Sequence, residues 1–446
     1  MSKIKVPPTE THEQRVELWE EIKKAGGIEP YIQQTLSAQG LAVHNNDTSR
    51  MNQKQKSAYK KSKRAEAEAE KVVRKATWKA YCATHLVHLG NGVFYNDLVD
   101  ADKFDIENRE QRISNNDLPN IEHVDALAEF LSLTLPEMRW LAYHRDATKN
   151  PHYKQFTIPK SDGSERVISA PRPKLKKAQH TILHKILDRM PIHGAAHGFV
   201  PGRSIASHAD KHAGRKIVVK MDLKDFFPTL TFPRVKGLFR KIGYPEQVAT
   251  VMALICTEPK RKEVEHDGEM YHVSLSHRSL PQGAPTSPTI TNIVCMRLDR
   301  RMSGLAKKLG WSYSRYADDL VFSTNDTDIN IGALLRLSEK VIRAEGFRRH
   351  PKKTHVMRQC NRQKVTGLIV NPTPSEEKTT SRVPRKVVRQ VKAGIYNRLN
   401  GKPHKSGESL EQLRGLAAFI NQTNPTLGRK FLDQIKTLVE REENEI

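Results

Sequence analysis

Two aspartates stand side by side at Asp318-Asp319, between the strand-like runs SYSRY and LVFST, and a third, Asp222, closes the apolar run IVVKMD 96 residues earlier. Adjacent carboxylates repel, and a cation between them removes the repulsion. Few hard oxygen ligands, left open to phosphate oxygens, suit Mg²⁺, which keeps waters and takes one or two carboxylates plus substrate phosphates. Two such ions serve phosphoryl transfer, one on the attacking oxygen and one on the leaving side. On its own, an Asp-Asp dipeptide is equally an ordinary turn.

The rest of the chain makes an acidic site unusual. Its 446 residues carry 75 Lys and Arg against 50 Asp and Glu, a formal charge of +25. A charge-balanced class is excluded, and a polyanionic partner that relieves this self-repulsion points to nucleic acid. A membrane surface fits less well, because the basic residues are spread along the chain. At about 100 to 200 residues per domain, two to four structural units are expected. No apolar run is long enough to span a bilayer, and the N-terminal MSKIKVPPTETHEQ has no secretory core, so a soluble, cytoplasmic protein without a membrane partner is expected. The four cysteines form no CxxC, which argues against a disulfide framework or a zinc ribbon. The pairs His180/His184 and His193/His197 have helical spacing but no HExxH or Cys companion, and read as surface or RNA-facing histidines.

Residues 1–145 are polar and helix-prone. Arg50 to Arg64 holds seven basic residues and no acidic one, a solvated face or an RNA contact, and continues into a helix where Val72, Val73 and Trp78 can face a core. VDALAEFLSLTLPEMRWLAYH, with apolar residues three and four apart, closes a helical extension packed on the remainder of the chain. From about 150 the pattern predicts a hairpin (KQFTIPK, SDGS, ERVISAP), a helix over 174–190, strands over 217–223, 312–324 and 365–371, and helices between them. Neither GxGxxG nor GxxxxGK[ST] occurs. After Pro372 the chain is basic and helical. The helix following Pro384 puts Arg385, Arg389 and Lys392 on one face and Val388, Val391, Ile395 and Leu399 on another.

Tyr316-Ala317-Asp318-Asp319 resembles the YxDD box of reverse transcriptases, and other stretches agree in order. MDLKDFF (221–227), FTIPKSDGSERVISAP (156–171), LPQGAPTSP (280–288), GFRRHPKKT (346–354) and VTGLIVN (365–371) resemble the motifs of that class. Within it the sequence is most similar to bacterial retron enzymes of the myxobacterial type with a long N-terminal extension. His208-Ala209-Asp210-Lys211-His212 departs in its first residue from their Asn-Ala-x-x-His.

The resemblance implies an α/β fold of the α+β kind, a right-handed polymerase with a basic helical extension over 1–145, fingers and palm over 146–375 and a thumb over 376–446. It implies two Mg²⁺, with Mn²⁺ as substitute, on Asp222, Asp318, Asp319 and the Leu223 backbone. Lys160 and Arg166 would bind the triphosphate, and Gln282 and Gly283 the nascent pair. Phe227, five residues after Asp222, would gate the sugar by leaving no room for a 2′-OH. Lys353 would protonate the leaving pyrophosphate, with Lys352 an equal candidate by composition. Val365-Thr366-Gly367, His212 and the face Arg385, Arg389 and Lys392 would meet RNA. Expected partners are dNTPs, a cognate structured non-coding RNA with its branched DNA copy, and an effector protein in phage defence. The alternatives are a group II intron or abortive-infection reverse transcriptase, or an RNA-binding scaffold without catalysis.

Overall fold

The computed structural model describes residues 6–49, 51–93, 107–159, 163, 165–372, 379–402 and 408–444. In chain order the elements are α1 (His12–Lys24), α2 (Ile28–Ala38), α3 (Gln53–Thr84), α4 (Arg109–Asn115), α5 (Val124–Phe130) and α6 (Leu135–Ala142), then β1 (Ala147–Thr148), β2 (Tyr153–Pro159), β3 (Glu165–Pro171) and α7 (Pro173–Lys185). Next come α8 (Ile205–Asp210), β4 (Ile217–Asp222), α9 (Phe232–Ile242), α10 (Glu246–Cys256), β5 (Arg261–His266), β6 (Glu269–Ser274), α11 (Ser287–Val294) and α12 (Met296–Lys308). The chain continues through β7 (Ser312–Tyr316), β8 (Asp319–Thr324), α13 (Ile331–Ala344), β9 (His355–Arg358), β10 (Lys364–Val365), β11 (Leu368–Ile369), α14 (Arg385–Leu399), α15 (Leu410–Asn421) and α16 (Pro425–Asn444). They fall into two compact units, one of residues 1–156, 169–182 and 232–278, the other of residues 157–168, 183–231 and 279–446.

In the first unit α3 starts on a capping box between Asn52 and Gln55, which satisfies two otherwise orphaned backbone donors. Its stripe of Ala69, Val73, Ala76 and Ala80 is small enough for α1 and α2 to lie close, burying Leu18, Ile22, Ile32 and Leu36. Val73 is core as expected. Trp78 is not: it is 52% exposed and stacks on Tyr81 of the next turn. Of the charged run, Arg50 lies outside the described residues. α10 is the centre of this unit, with Val248, Val251, Met252, Leu254 and Ile255 all buried.

The second unit is organised by a four-stranded antiparallel sheet of order β7-β8-β4-β9. Side chains alternate across a sheet, and residues paired directly across strands share a face. Tyr313, Arg315, Val219, Met221, Leu320 and Phe322 therefore form one face, with α12 beside β7, while Val218, Lys220, Asp222, Asp319, Val321, Ser314 and Ser323 form the other. Val218 and Val321 of that second face join a core with Val365, Leu368 and residues of α14, α15 and α16.

The expected strand over 365–371 is instead a tight hairpin. Thr366 and Gly367 take φ of +43° and +91°, the left-handed pair that reverses a chain in two residues. The helix expected over 174–190 stops at Lys185 and is followed by a short 3₁₀ turn, Leu187–Arg189.

Candidate active site

The site begins with strand register. β4 pairs with β8 so that Asp222 stands directly opposite Asp319. Such partners have Cα atoms about 4.5–5.5 Å apart, close enough for their carboxylates to share a ligand. Asp318 sits in the two-residue turn between β7 and β8, and its carbonyl accepts from the Leu223 N–H at 3.0 Å, which ties the turn to the residue after Asp222.

That turn is unusual for its residue types. Ala317 has φ +53°, a conformation that carries strain for a residue with a Cβ. Two features hold it there. Arg315, wholly buried, donates to the Ala317 carbonyl at 3.1 Å and is itself clamped by Asp299 of α12 at 2.7 and 2.8 Å. Behind it lies Gly198, where a Cβ would come within 2.6 Å of the Ala317 nitrogen, so only glycine permits the approach.

The electrostatics follow from this crowding. Burial pushes the Asp318 carboxyl up to about 6, and repulsion from Asp319 and Asp222 adds to the rise. Burial also raises Asp319, against the pull of the Lys220 ammonium, whose Nζ lies 2.8 Å from its Oδ2. Lys353 Nζ is 3.4 Å from Asp222 Oδ2 and half exposed, and it is this lysine of the Lys352-Lys353 pair that faces the carboxylates. Among the described residues no group of three His, Cys, Asp or Glu side chains is arranged so that it could hold a metal ion. Asp319 turns onto Lys220 and Asp222 toward Lys353. The donor set still fits a divalent ion: hard oxygens only, from one sheet face and its turn, with burial and like-charged neighbours both raising Asp318 and ammonium groups standing beside the other two. Lys220 was missed by sequence reasoning, although a residue two before Asp222 on a strand shares its face.

Comparison with known proteins then decides the family. The family model for reverse transcriptase (RNA-dependent DNA polymerase) matches residues 158–371. The retron Mx162 reverse transcriptase of Myxococcus xanthus is 47% identical over 426 residues, covering 94% of this chain and 88% of that protein. The retron Mx65 enzyme of the same organism is 37% identical over 71% of this chain and 72% of its own length, and the retron Ec86 enzyme of Escherichia coli 30% identical over 73% and 92%. This chain belongs to the retron reverse transcriptases. It is an RNA-directed DNA polymerase whose template partner is RNA, of a family that uses divalent metal ions, with the mixed helix-and-strand polymerase fold that the motifs implied.

Around the carboxylates of this reverse transcriptase, Phe226 is buried against Phe347 with ring centroids 5.7 Å apart, and the next residue, Phe227, is the half-buried one. Gln282 is half-buried and Gly283 exposed at φ +115°, a backbone open to close approach. Arg166 is exposed on β3, and Lys160 lies outside the described residues.

The expected RNA contacts divide. Arg385, Arg389 and Lys392 are exposed on α14, while Val391 and Ile395 of the opposite face are buried. Thr366 and Gly367 form the partly exposed hairpin tip. Val365 and His212 are corrected, because both are 0% exposed. Val365 is core, and the His212 ring is held between Ser314 and Ser323, at 2.6 and 2.7 Å, on the carboxylate face of the sheet. His208 and His197 line up beside it, with ring centroids 5.7 and 5.4 Å apart, and His208 is 5.7 Å from the Tyr316 ring. The histidines thus brace the strand that leads into the Ala317-Asp318 turn.

Proposed function

We propose that the enzyme copies part of its own structured non-coding RNA into branched, RNA-linked single-stranded DNA (msDNA). Synthesis starts from a 2′-OH of an internal guanosine, and the enzyme works in the cytoplasm with an effector protein in defence against phage. The observation that carries the chemistry is the register that sets Asp222 opposite Asp319, beside Asp318 in the turn. Kinship over nearly the whole length with retron enzymes supports the retron product. In this reading residues 146–375 act as fingers and palm, 376–446 as the thumb, and 1–145 as a basic extension.

Asp222, Asp318 and Asp319, with the Leu223 backbone, would hold two divalent ions, Mg²⁺ or in its place Mn²⁺, which when bound acidify the attacking hydroxyl and offset charge on the triphosphate. The chain's own residues do the rest. The attacking oxygen forms a bond to the α-phosphorus of a dNTP as the bond to pyrophosphate breaks. Lys353, released from Asp222 once that carboxylate is neutralised, gives its proton to the departing pyrophosphate. Lys160 and Arg166 hold the β and γ phosphates by charge-assisted bonds. Phe227 closes the space a 2′-OH would need, and Gln282 and Gly283 lie against the new base pair. The hairpin of Thr366 and Gly367 and the α14 face meet the folded transcript through phosphates and 2′-OH groups.

Primer extension with Mg²⁺, wild type beside Asp318→Ala, tests the chemistry: DNA is expected only from the wild type. RNA binding without DNA synthesis by either protein would favour a scaffold. Sequencing of nucleic acid that copurifies with the enzyme tests the product, and finding no chimeric RNA–DNA would remove the retron-specific part.

A further inference from the structure

The polymerase chemistry gives no side chain of residues 1–145 a role, yet in the first unit these residues form a built cleft. A cavity of about 470 Å³ is lined by Arg15, Lys79, Arg139 and Arg145, the rings of Trp140 and Tyr143, and small or apolar neighbours, with no acidic side chain among them. The same unit pairs other surface cations with carboxylates, Arg74 with Glu29 and Glu70, and Lys174 with Glu137. In the cleft the cations are left to repel one another, a cost that an anionic ligand removes.

The groups are also fixed in place. Arg15 donates to the carbonyls of Thr9 and Glu10 at 2.7 and 3.2 Å, and the Arg145 guanidinium lies 5.0 Å over the Tyr143 ring. Trp140 is 44% exposed, with His152 edge-on at 4.3 Å behind its ring. Fixed cations beside open flat rings are what a single strand needs, with phosphates on the charges and a base on the ring, whatever the sequence.

We propose that this cleft binds a single-stranded stretch of RNA, with phosphates on Lys79, Arg15 and Arg139 and a base stacked on Trp140. The choice of RNA over DNA rests on the enzyme's reading as an RNA-copying polymerase.

The test uses the full chain and a short fluorescein-labelled single-stranded RNA of mixed sequence carrying a photoreactive uridine. Trp140→Ala is expected to weaken binding about 5- to 100-fold and to remove crosslinks to the peptide around Trp140, with Trp140→Phe restoring most of both. Arg139→Gln is expected to lower the slope of log affinity against log salt by about 0.7, with the melting temperature unchanged. Extension of a pre-annealed generic primer-template should stay at the wild-type rate in all three. Wild-type affinity and crosslinking in Trp140→Ala and Arg139→Gln would overturn the site, and equal binding of DNA of the same sequence would overturn its assignment to RNA. Asp318→Ala separates the two readings, since it should stop extension and leave this binding intact. A wild type that makes no DNA defeats the polymerase chemistry while the binding arm still decides the cleft.

Discussion

Asp318 is held in a state that costs the fold stability. Its carboxyl sits at about 6 in the fold against an ordinary value of 3.8. The unfolded chain therefore loses its proton first, and the contribution of Asp318 to stability falls as pH rises from about 4 to about 6 and stays reduced above. Asp318→Asn removes that penalty together with the proposed metal ligand. Extension should vanish, while the melting temperature of the metal-free protein at neutral pH rises by about 2–4 °C and ceases to respond to Mg²⁺. A lower melting temperature would refute the cost assigned to burial and repulsion at Asp318. Lys353 gives a second contrast: Lys353→Met should cut the extension rate about 100-fold, and Lys352→Met, whose lysine does not reach Asp222, only slightly. Phe227→Ala should raise incorporation of ribonucleotides relative to deoxynucleotides at least about 10-fold in single-nucleotide extension, whereas Phe226→Ala should act through stability. That Asp222 and the Asp318-Asp319 pair come together was legible in the sequence through the order of the motifs around them, because the dipeptide alone is equally a turn. Choosing between adjacent lysines was not, since only the 3₁₀ turn at Pro351–Lys353 decides which one faces inward.

At the scale of elements, the apolar run IVVKMD and the strand-like run SYSRY were enough to read the central strands, and alternation along a strand identifies Lys220 once applied. The β5–β6 hairpin went unread although its turn, Asp267-Gly268 at φ +52° and +72°, is a standard two-residue signal, because the flanking runs are charged and exposed rather than apolar. His212 looked like an RNA contact because sequence gives no measure of burial. Its true setting makes a pH prediction. Burial lowers His208 to about 3 and His197 to about 4, with Lys211 nearby adding to both, and lowers His212 as well. Unfolded imidazoles take up protons near 6.5, so the contribution of these histidines to stability is intact above that pH and falls as pH drops from about 6.5 toward 4. His208→Asn should flatten this acid limb in a series of thermal melts, and an unchanged limb would show that the buried rings do not cause it. On α14, replacing Arg385, Arg389 and Lys392 together by Gln should lower the salt dependence of binding to structured RNA by about 2 in log-log slope.

At the scale of the whole molecule, composition suggests that residues 1–145 are an extension packed on the remainder of the chain, and the structure says what the packing supports. The first unit joins residues 1–156 to 232–278, so its core is made from both ends of a long interval of sequence. No local pattern reveals that, because periodicity reports a helix's own face and not its partner. Within the unit α10 packs against α5, α6 and α9, and two of those three partners lie before residue 145. Removing residues 1–145 would therefore strip two of the helices that cover α10 and lay part of its buried apolar surface open to water, at about 1.5–3 kcal/mol for each large side chain laid bare. That loss rivals the whole stability of a domain, about 5–15 kcal/mol. A fragment of residues 146–446 should accordingly aggregate or melt far below the full chain, even though every carboxylate of the site is present. A monodisperse fragment that extends a primer at the full-chain rate would show instead that the extension is dispensable to the fold.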